Sequence, residues 1–458
     1  MTIKFYNREK ELALLKKVRP PYLAIIYGRR RIGKTALSLE FVKDRDFLYF
    51  FVNPKKSEQL LLKEFSEKIG EKIGIPLSLR TWEEFFEVLF KYKGIVIFDE
   101  FQKFLEINEA VPFILQKFWD TKREKPTIII TGSVIGMIKK LFMESGSPLF
   151  KRADILINLK ELRPKDIFKI LSDFGINNLE EKFKFYLLFG GVPYYYSLLY
   201  KYQIENIREA IFELIVDEHA PLRREVEDVL IEAFKKEYST YLSIMYAIAE
   251  GKTKLEEIAS YAGIKTTSIS YYLKDLIELL DLVEKHEIKF KNKSIYEIKD
   301  RFHYFWLRFM YRYSSIIDPK VLFSKIMNEI NDFYGRCFEK MIRDNFLYIF
   351  GNYEKVFKYY GFLKKGGRRV SFDIDVLALN EKTRELLLAE CKWKDKVNPS
   401  KICKELLEKS KYIPWHLEKR KETLAIFAKS FSKKISEFKG IKVYCFDLKD
   451  LENLFRKA

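Results

Sequence analysis

Hydrophobic positions fall into three regimes along the chain. The first contains short, uninterrupted apolar runs set between helix-like stretches: Tyr22-Leu-Ala-Ile-Ile-Tyr27, Gly94-Ile-Val-Ile-Phe98 and Thr127-Ile-Ile-Ile-Thr131. Runs of strand length without polar alternation predict strands buried on both faces, as in a parallel sheet covered by helices. A helix is expected over 8–18, capped by Asn7 and ended by Pro20-Pro21, and another over 36–42. The second regime, 160–235, alternates apolar and charged positions at helical spacing. Its run Tyr194-Tyr195-Tyr196 points three ways on a helix, which predicts packing rather than a stacking platform.

The third regime is mixed. Helices are expected over 241–249 and 253–263, then a turn at Gly263-Ile264 and a helix over 267–280 capped by Thr266. Alternating segments around Leu282 and over 289–297 read as a two-stranded hairpin, completing a helix-turn-helix with a wing. An aromatic helix over 300–309 follows, then a long helix opened by Gly335-Arg-Cys-Phe-Glu339. A basic hairpin turn, Lys364-Lys365-Gly-Gly-Arg368-Arg369, leads to strands over 370–379 and 386–393.

Candidate chemistry begins directly after the first strand, at Gly28-Arg29-Arg30-Arg31-Ile32-Gly33-Lys34-Thr35 followed by Ala36. This is a complete GxxxxGK[ST] loop between strand and helix, the setting its mechanism requires. Its backbone N–H groups turn inward around a triphosphate, and the helix N-terminus adds partial positive charge. Lys34 is expected to reach the β/γ-phosphates and Thr35 to ligate Mg²⁺. The second strand runs into Asp99-Glu100, which suits a metal-orienting Asp99 and a general base, Glu100. After the third strand, Thr131 or Ser133 is positioned to sense the γ-phosphate. Arg152 is a candidate to reach a γ-phosphate of its own subunit or of a neighbour in a homo-oligomer; the alternative is a surface arginine beside Asp154.

Asn7-Arg8-Glu9, the stretch from Tyr27 to Thr35, Phe98-Asp-Glu-Phe-Gln102, Thr131-Gly-Ser133 and Pro148-Leu-Phe-Lys-Arg152 together resemble the archaeal ATPase family, within the AAA+/STAND group. Gly190-Gly-Val-Pro193-Tyr is similar to that family's helical lid. The resemblance covers roughly 1–230. It implies an adenine nucleotide with contacts from Asn7, Arg8 and Pro193, a sensing Ser133, and an arginine finger at Arg152.

Net charge is +19, distributed as +7 over 1–50, −2 over 51–300 and +14 over 301–458. A positive field concentrated in the last third attracts polyanions, DNA above all; the alternative is the Lys-rich surface of a heat-adapted protein. The composition, 48% hydrophobic with 19 Gly and 13 Pro, excludes a disordered or collagen-like chain. Scattered cysteines and histidines argue against zinc, and the absence of any long uncharged run argues against a membrane span. A cytoplasmic protein is expected.

In the wing region, Thr267, Ser268, Ser270, Tyr271 and Lys274 are candidates for a major groove, with Lys289, Lys291 and Lys293 on phosphate. Residues 251–300 carry 9 basic and 9 acidic side chains, so a protein-contacting spacer is the competing expectation. Lys364, Lys365, Arg368 and Arg369 are further DNA candidates. Asp375 on one strand and Glu390-x-Lys392 on the next form a PD-(D/E)xK-like constellation. Adjacent strands bring Asp375 and Glu390 to one cation, Glu339 completes the ligand set, and Lys392 orients the attacking water. This segment also resembles the nuclease-like domain that many archaeal ATPase relatives carry.

The expected architecture is α/β: a P-loop NTPase parallel sheet (1–160), a helical lid (161–235), a winged helix (236–300) and a restriction-endonuclease-like α/β domain (301–458). The expected function is ATP hydrolysis with Mg²⁺ on DNA, with a nuclease-like C-terminal domain. The alternative is an ATP-operated DNA-binding switch whose nuclease-like domain is inactive.

Overall fold

The structure, a computed structural model, describes residues 4–288, 293–365 and 368–457. The chain forms two compact units: Met1–Leu162 with Val192–Ser197 and Tyr271–Leu282, and Arg163–Gly191 with Leu198–Ser270 and Val283–Ala458. Among the described residues no helix is long and apolar enough to cross a membrane.

The first unit is built on a five-stranded parallel sheet: β1 (Leu23–Tyr27), β2 (Phe47–Phe51), β3 (Ile95–Asp99), β4 (Thr127–Gly132) and β5 (Ile155–Asn158), in the order β2-β3-β4-β1-β5. Every residue of β1, β3 and β4 is buried, as uninterrupted apolar runs require. This is the α/β P-loop NTPase sheet expected from the sequence, with the strand that ends in the phosphate loop flanked by its neighbours on both sides. One sheet face packs an aromatic core in which Phe98 lies between the rings of Phe50 (5.4 Å) and Phe101 (5.9 Å). Phe98 is fully buried and immediately precedes Asp99. Truncating it removes ring contacts the rigid sheet cannot refill, so Phe98→Ala is expected to cost about 3–5 kcal/mol. Denaturant unfolding checks this, and a loss under about 1 kcal/mol contradicts the packing described.

One expectation at the N-terminus is corrected. The helix is Glu9–Lys17, with Arg8 at its N-cap (φ 79°) and no side-chain cap. Asn7 has a φ of 56°, and its Oδ1 accepts from the Arg8 N–H at 2.6 Å instead of from the helix.

In the second unit the helices Tyr238–Ala249 and Leu255–Ala262 precede an antiparallel hairpin of β6 (Val283–Ile288) and β7 (Lys293–Ile298). Between them in the chain runs the helix Thr266–Lys274, which from Tyr271 onward belongs to the first unit and ends in a π-helical turn, Asp275–Leu279, rather than continuing to Leu280. The aromatic helix Arg301–Phe305 likewise passes into a π-helical turn, Trp306–Tyr311.

Gly335 to Glu339 lie inside the helix Pro319–Asp344 instead of opening it. Asp318 caps that helix, accepting from the Lys320 N–H at 2.8 Å, and Pro319 favours its first turn. A mixed six-stranded sheet completes the unit: β8 (Lys355–Lys365), β9 (Arg368–Asn380), β10 (Glu385–Lys392), β11 (Lys421–Ala428), β12 (Glu437–Phe438) and β13 (Ile441–Phe446), ordered β12-β13-β11-β10-β9-β8. β8, β9 and β10 form an antiparallel meander. β10, β11 and β13 are parallel, with the helix Pro399–Ser410 crossing between β10 and β11.

Candidate functional site

The loop after β1 turns on Gly28, where a Cβ would lie 2.5 Å from the Leu159 carbonyl oxygen, so only glycine fits. Gly33, at φ 95°, is the N-cap of the helix Lys34–Val42. Arg31 is also left-handed (φ 66°), and Ile32 is buried beneath the loop. Arg30 and Ala36 are exposed.

Lys34 is buried, and its ammonium donates to the Gly28 (3.0 Å) and Arg29 (2.9 Å) carbonyls. Burial lowers its pKa, against the pull of Glu100 and Asp99. The Arg29 guanidinium pairs with Glu161 at 2.8 Å. Arg8 ties the loop's flank, donating to the Ile32 (3.3 Å) and Lys160 (2.6 Å) carbonyls. Asn7 accepts from the Arg8 N–H, as described above. Pro193 is half-buried and starts a helix, and the next residue, Tyr194, places its ring 3.9 Å from the Arg31 guanidinium. Tyr195 and Tyr196 are buried, as packing residues should be.

The two carboxylates ending β3 have different side-chain partners, although the Thr131 hydroxyl that donates to Asp99 also accepts from the Glu100 N–H at 3.4 Å. Asp99 is buried, and its Oδ2 accepts from the Thr35 hydroxyl (2.8 Å) and the Tyr49 hydroxyl (2.6 Å). Its Oδ1 accepts from the Thr131 hydroxyl. Burial, reinforced by Asp99, raises the Tyr49 pKa and keeps that phenol a donor. Glu100 adopts a left-handed backbone, φ 60°, a conformation a non-glycine residue holds only when its surroundings enforce it. Its Oε2 accepts from the Ser133 hydroxyl (2.6 Å) and the Gln102 amide (2.5 Å). Gln102 is fully buried. Glycine at 132 permits the close approach, since a Cβ there would lie 2.6 Å from Gln102 Oε1.

Lys34, Thr35, Asp99, Glu100 and Ser133 therefore converge at the carboxyl ends of β1, β3 and β4. Arg152 is held elsewhere: its guanidinium grips Asp120 through Nε (2.8 Å) and Nη2 (2.7 Å), and Asp154 instead accepts from the Leu23 N–H at 2.8 Å. Tyr49, Gln102 and Tyr194 were not singled out as site residues. Gln102, two residues past Glu100 in a tight turn, carried a local signal, whereas Tyr49 and Tyr194 arrive through tertiary packing.

On the helix Thr266–Lys274, Thr267, Ser268, Ser270, Tyr271 and Lys274 are exposed, while Ile269 and Leu273 are buried on the opposite side. Lys289 and Lys291 lie outside the described residues, and Lys293 begins β7. Arg368 is exposed at the start of β9; Arg369 follows it, and Lys364 and Lys365 end β8.

Asp375 and Glu390 fall on neighbouring strands, and a bulge re-aims the first of them. Phe357 pairs with Leu377 and Tyr359 with Ile374, so Asp375 and Val376 together oppose the single Lys358. The Lys358 ammonium lies 2.9 Å from Glu339, 3.2 Å from Asp373 and 3.9 Å from Asp375. Asp375 is buried and accepts from the Cys391 N–H at 2.8 Å, whereas Asp373 is half-exposed. Burial, helped by the Glu390 and Glu339 charges, pushes the Asp375 carboxyl up to about 7. Glu390 pairs with Lys392 (2.5 Å) and Lys409 (3.6 Å).

The three expected ligands, Glu339, Asp375 and Glu390, are thus each engaged by an ammonium or a backbone N–H. Among the described residues no group of three or more Asp, Glu, His or Cys side chains forms a metal-holding cluster. As built, this constellation does not fit a divalent cation: Lys358 supplies the positive charge.

Residues 5–199 match a family described as an ATPase domain predominantly from Archaea, and residues 306–405 match one of archaeal and bacterial proteins of unknown function. An uncharacterised protein of Methanocaldococcus jannaschii is 32% identical over 430 residues, covering 89% of this chain and 92% of that one. An uncharacterised ATP-binding protein of the same organism is 24% identical over 355 residues, 72% of this chain and 95% of its own. The Walker-type ATPase of Pyrococcus abyssi superposes with a TM-score of 0.52 at 20% identity, over 66% of this chain and 96% of that structure, a likeness of fold. With so much of both chains aligned, the protein belongs to the family of the first M. jannaschii relative, and its own residues 5–199 are an archaeal-type ATPase domain.

Proposed function

We propose that the first unit binds and hydrolyses ATP, and that the convergence of Lys34, Thr35, Asp99, Glu100 and Ser133 at one sheet edge carries this reading. The loop from Gly28 to Ala36 wraps the phosphates, and Lys34 exchanges its two carbonyl partners for β/γ-phosphate oxygens. The Thr35 hydroxyl and the Asp99 carboxylate, 2.8 Å apart, are hard oxygen donors that fit Mg²⁺. That cation neutralises phosphate charge when bound. Glu100 orients the attacking water and takes its proton, while Ser133 and Gln102 fix the carboxylate. Asn7, Arg8 and Pro193 frame the nucleotide.

Arg152 acts as a finger only by releasing Asp120, which a neighbouring copy in a homo-oligomer would favour. Gln102→Leu, nearly the same size, is expected to slow turnover about 10-fold with little change in ATP affinity. Phosphate release and nucleotide titration measure the two separately, and equal losses in both contradict the positioning role.

Residues 236–458 we read as a nucleic-acid-binding region: a winged helix over 236–300 exposing Ser268, Ser270, Tyr271 and Lys274, and a nuclease-like domain over 301–458 that holds most of the positive charge. Between cleavage and binding alone, Lys358 among the carboxylates favours binding. In this reading ATP sets the conformation and residues 301–458 grip DNA. The test incubates the protein with Mg²⁺ or Mn²⁺ and plasmid, short duplex and single-stranded DNA, with and without ATP, beside Glu390→Ala/Lys392→Ala. Retention of DNA without cleavage is expected; cleavage absent from the double variant establishes a nuclease.

A further inference from the structure

Wholly within the second unit is a cavity of about 410 Å³, bounded by β7, the aromatic helix, the long helix Pro319–Asp344, and β8 with β9. It is separate from the phosphate loop, and its size is that of a small-ligand site, too small for a duplex. Five of its lining side chains are cationic and three anionic. Most of the cations are paired: Arg301 with Asp344 at 2.9 Å, Arg343 with Glu297 at 2.7 Å, and Lys340 with Glu284.

Arg336 differs. Among the described residues no carboxylate comes within 4 Å of it, and its Nη1 donates to the Tyr304 hydroxyl at 3.2 Å. Arg308 donates to the same oxygen at 3.3 Å. Arg308 is 12% exposed, its nearest carboxylate is Asp332 at 3.9 Å, and its buried Nε has no hydrogen-bond partner among the described residues. Two guanidinium groups thus converge on one neutral phenol oxygen at the cavity wall. Burial raises the Tyr304 pKa, so that oxygen carries no charge to offset theirs.

A guanidinium fork on the cavity wall with no carboxylate within 4 Å among the described residues, Arg336, is suited to a phosphate, and Arg308, whose ion pair with Asp332 is a long 3.9 Å, adds positive charge behind the shared hydroxyl. The remaining walls narrow the class. Tyr296 and Tyr360 supply aromatic surface for a base, and Glu339 and Asp373 supply acceptors of the kind that take sugar hydroxyls. We propose that this cavity binds a nucleoside monophosphate unit, its phosphate replacing the Tyr304 hydroxyl as acceptor for Arg336, with the Arg308 charge behind that hydroxyl. The unit arrives either as a free nucleotide or as the phosphorylated end of a single strand. The proposal goes beyond the reading of residues 301–458 given above and holds whether or not they cleave.

The test uses the full chain carrying Lys34→Ala, which removes nucleotide binding at the phosphate loop. Titration calorimetry with AMP, inorganic phosphate, adenosine and a 5′-phosphorylated ten-residue single strand distinguishes the sources. Binding of AMP at one per chain assigns a free nucleotide; binding of the phosphorylated strand but not AMP assigns a strand end. In either case adding Arg336→Ala weakens binding about 10- to 100-fold, and Arg336→Lys, which keeps charge but loses the fork, recovers part of it. Arg336 is on an exposed stretch of helix, and an unchanged unfolding midpoint verifies that its variants fold. Adenosine binding as tightly as AMP, phosphate alone matching AMP, no binding by any probe, or affinity indifferent to Arg336→Ala overturns the proposal.

Discussion

Glu100→Gln is expected to lower ATP turnover by about 10²- to 10⁴-fold while ATP affinity changes by no more than about 3-fold. The substitution keeps size and shape, and the amide oxygen still accepts from Ser133 at the position where the carboxylate does now, 2.6 Å away. It loses the ability to take a proton. In the proposed reading nucleotide affinity comes from other groups: the loop amides, Lys34, and the Thr35–Asp99 pair, whose hydrogen bonds run through Tyr49 and Thr131 without touching Glu100's carboxylate. The two carboxylates have different side-chain partners, Thr131 joining Asp99 only to the Glu100 backbone N–H at 3.4 Å, and this predicts a large kcat effect with a small binding effect. Single-turnover phosphate release and equilibrium nucleotide titration on the same preparation measure both. Parallel losses contradict a base held apart from the binding site.

The second large effect is expected at the bulge. Lys358 is the only counter-charge within 4 Å of Glu339 and Asp373 among the described residues, and it faces buried Asp375 as well. Lys358→Met leaves those carboxylates without it. Breaking a buried pair costs about 3–5 kcal/mol, and the partial exposure of Glu339 reduces that to about 2–3 kcal/mol near pH 7.5.

With Lys358 gone, three carboxylates face one small volume, so millimolar Mn²⁺ is expected to restore the variant's stability and to leave the wild type unchanged. Acid also reduces the loss. The Asp375 carboxyl stands at about 7 against an ordinary 3.8, so the folded state holds its proton more tightly than the unfolded chain. Stability attributable to this group is therefore full below pH 3.8 and falls as pH rises towards 7. Denaturant unfolding with EDTA or Mn²⁺ at pH 5.5 and 7.5 tests all of this. A wild type already stabilised by Mn²⁺, or a variant as stable as wild type, contradicts the ion-pair account.

The candidate site's arrangement was legible in the sequence because its chemistry is local. One strand, one loop and one helix N-terminus are contiguous from Tyr22 to Val42, and Asp99-Glu100 ends an apolar run whose direction fixes where both side chains emerge. What the sequence did not disclose came from packing between distant segments. Tyr49 reaches Asp99 from the neighbouring β2, and Tyr194 reaches Arg31 from far along the chain.

The carboxylate constellation shows the limit most clearly. Strand alternation placed Asp375 and Glu390 on adjacent strands, as observed, but alternation cannot anticipate a bulge, and the bulge sets Asp375 opposite Lys358. Helix boundaries failed for a related reason. Gly335 reads as a helix start in isolation, yet the apolar spacing of Leu322, Ile326, Ile330 and Phe333 carries the helix through it.

The central claim is that this chain turns over ATP at the cradle formed by Gly28 to Thr35. Its most direct test is steady-state phosphate release by the purified protein with Mg²⁺, compared with Lys34→Ala. The account predicts turnover that requires Mg²⁺ and is lost in Lys34→Ala. Full activity in Lys34→Ala, or none in the wild type under any nucleotide and DNA condition, contradicts it.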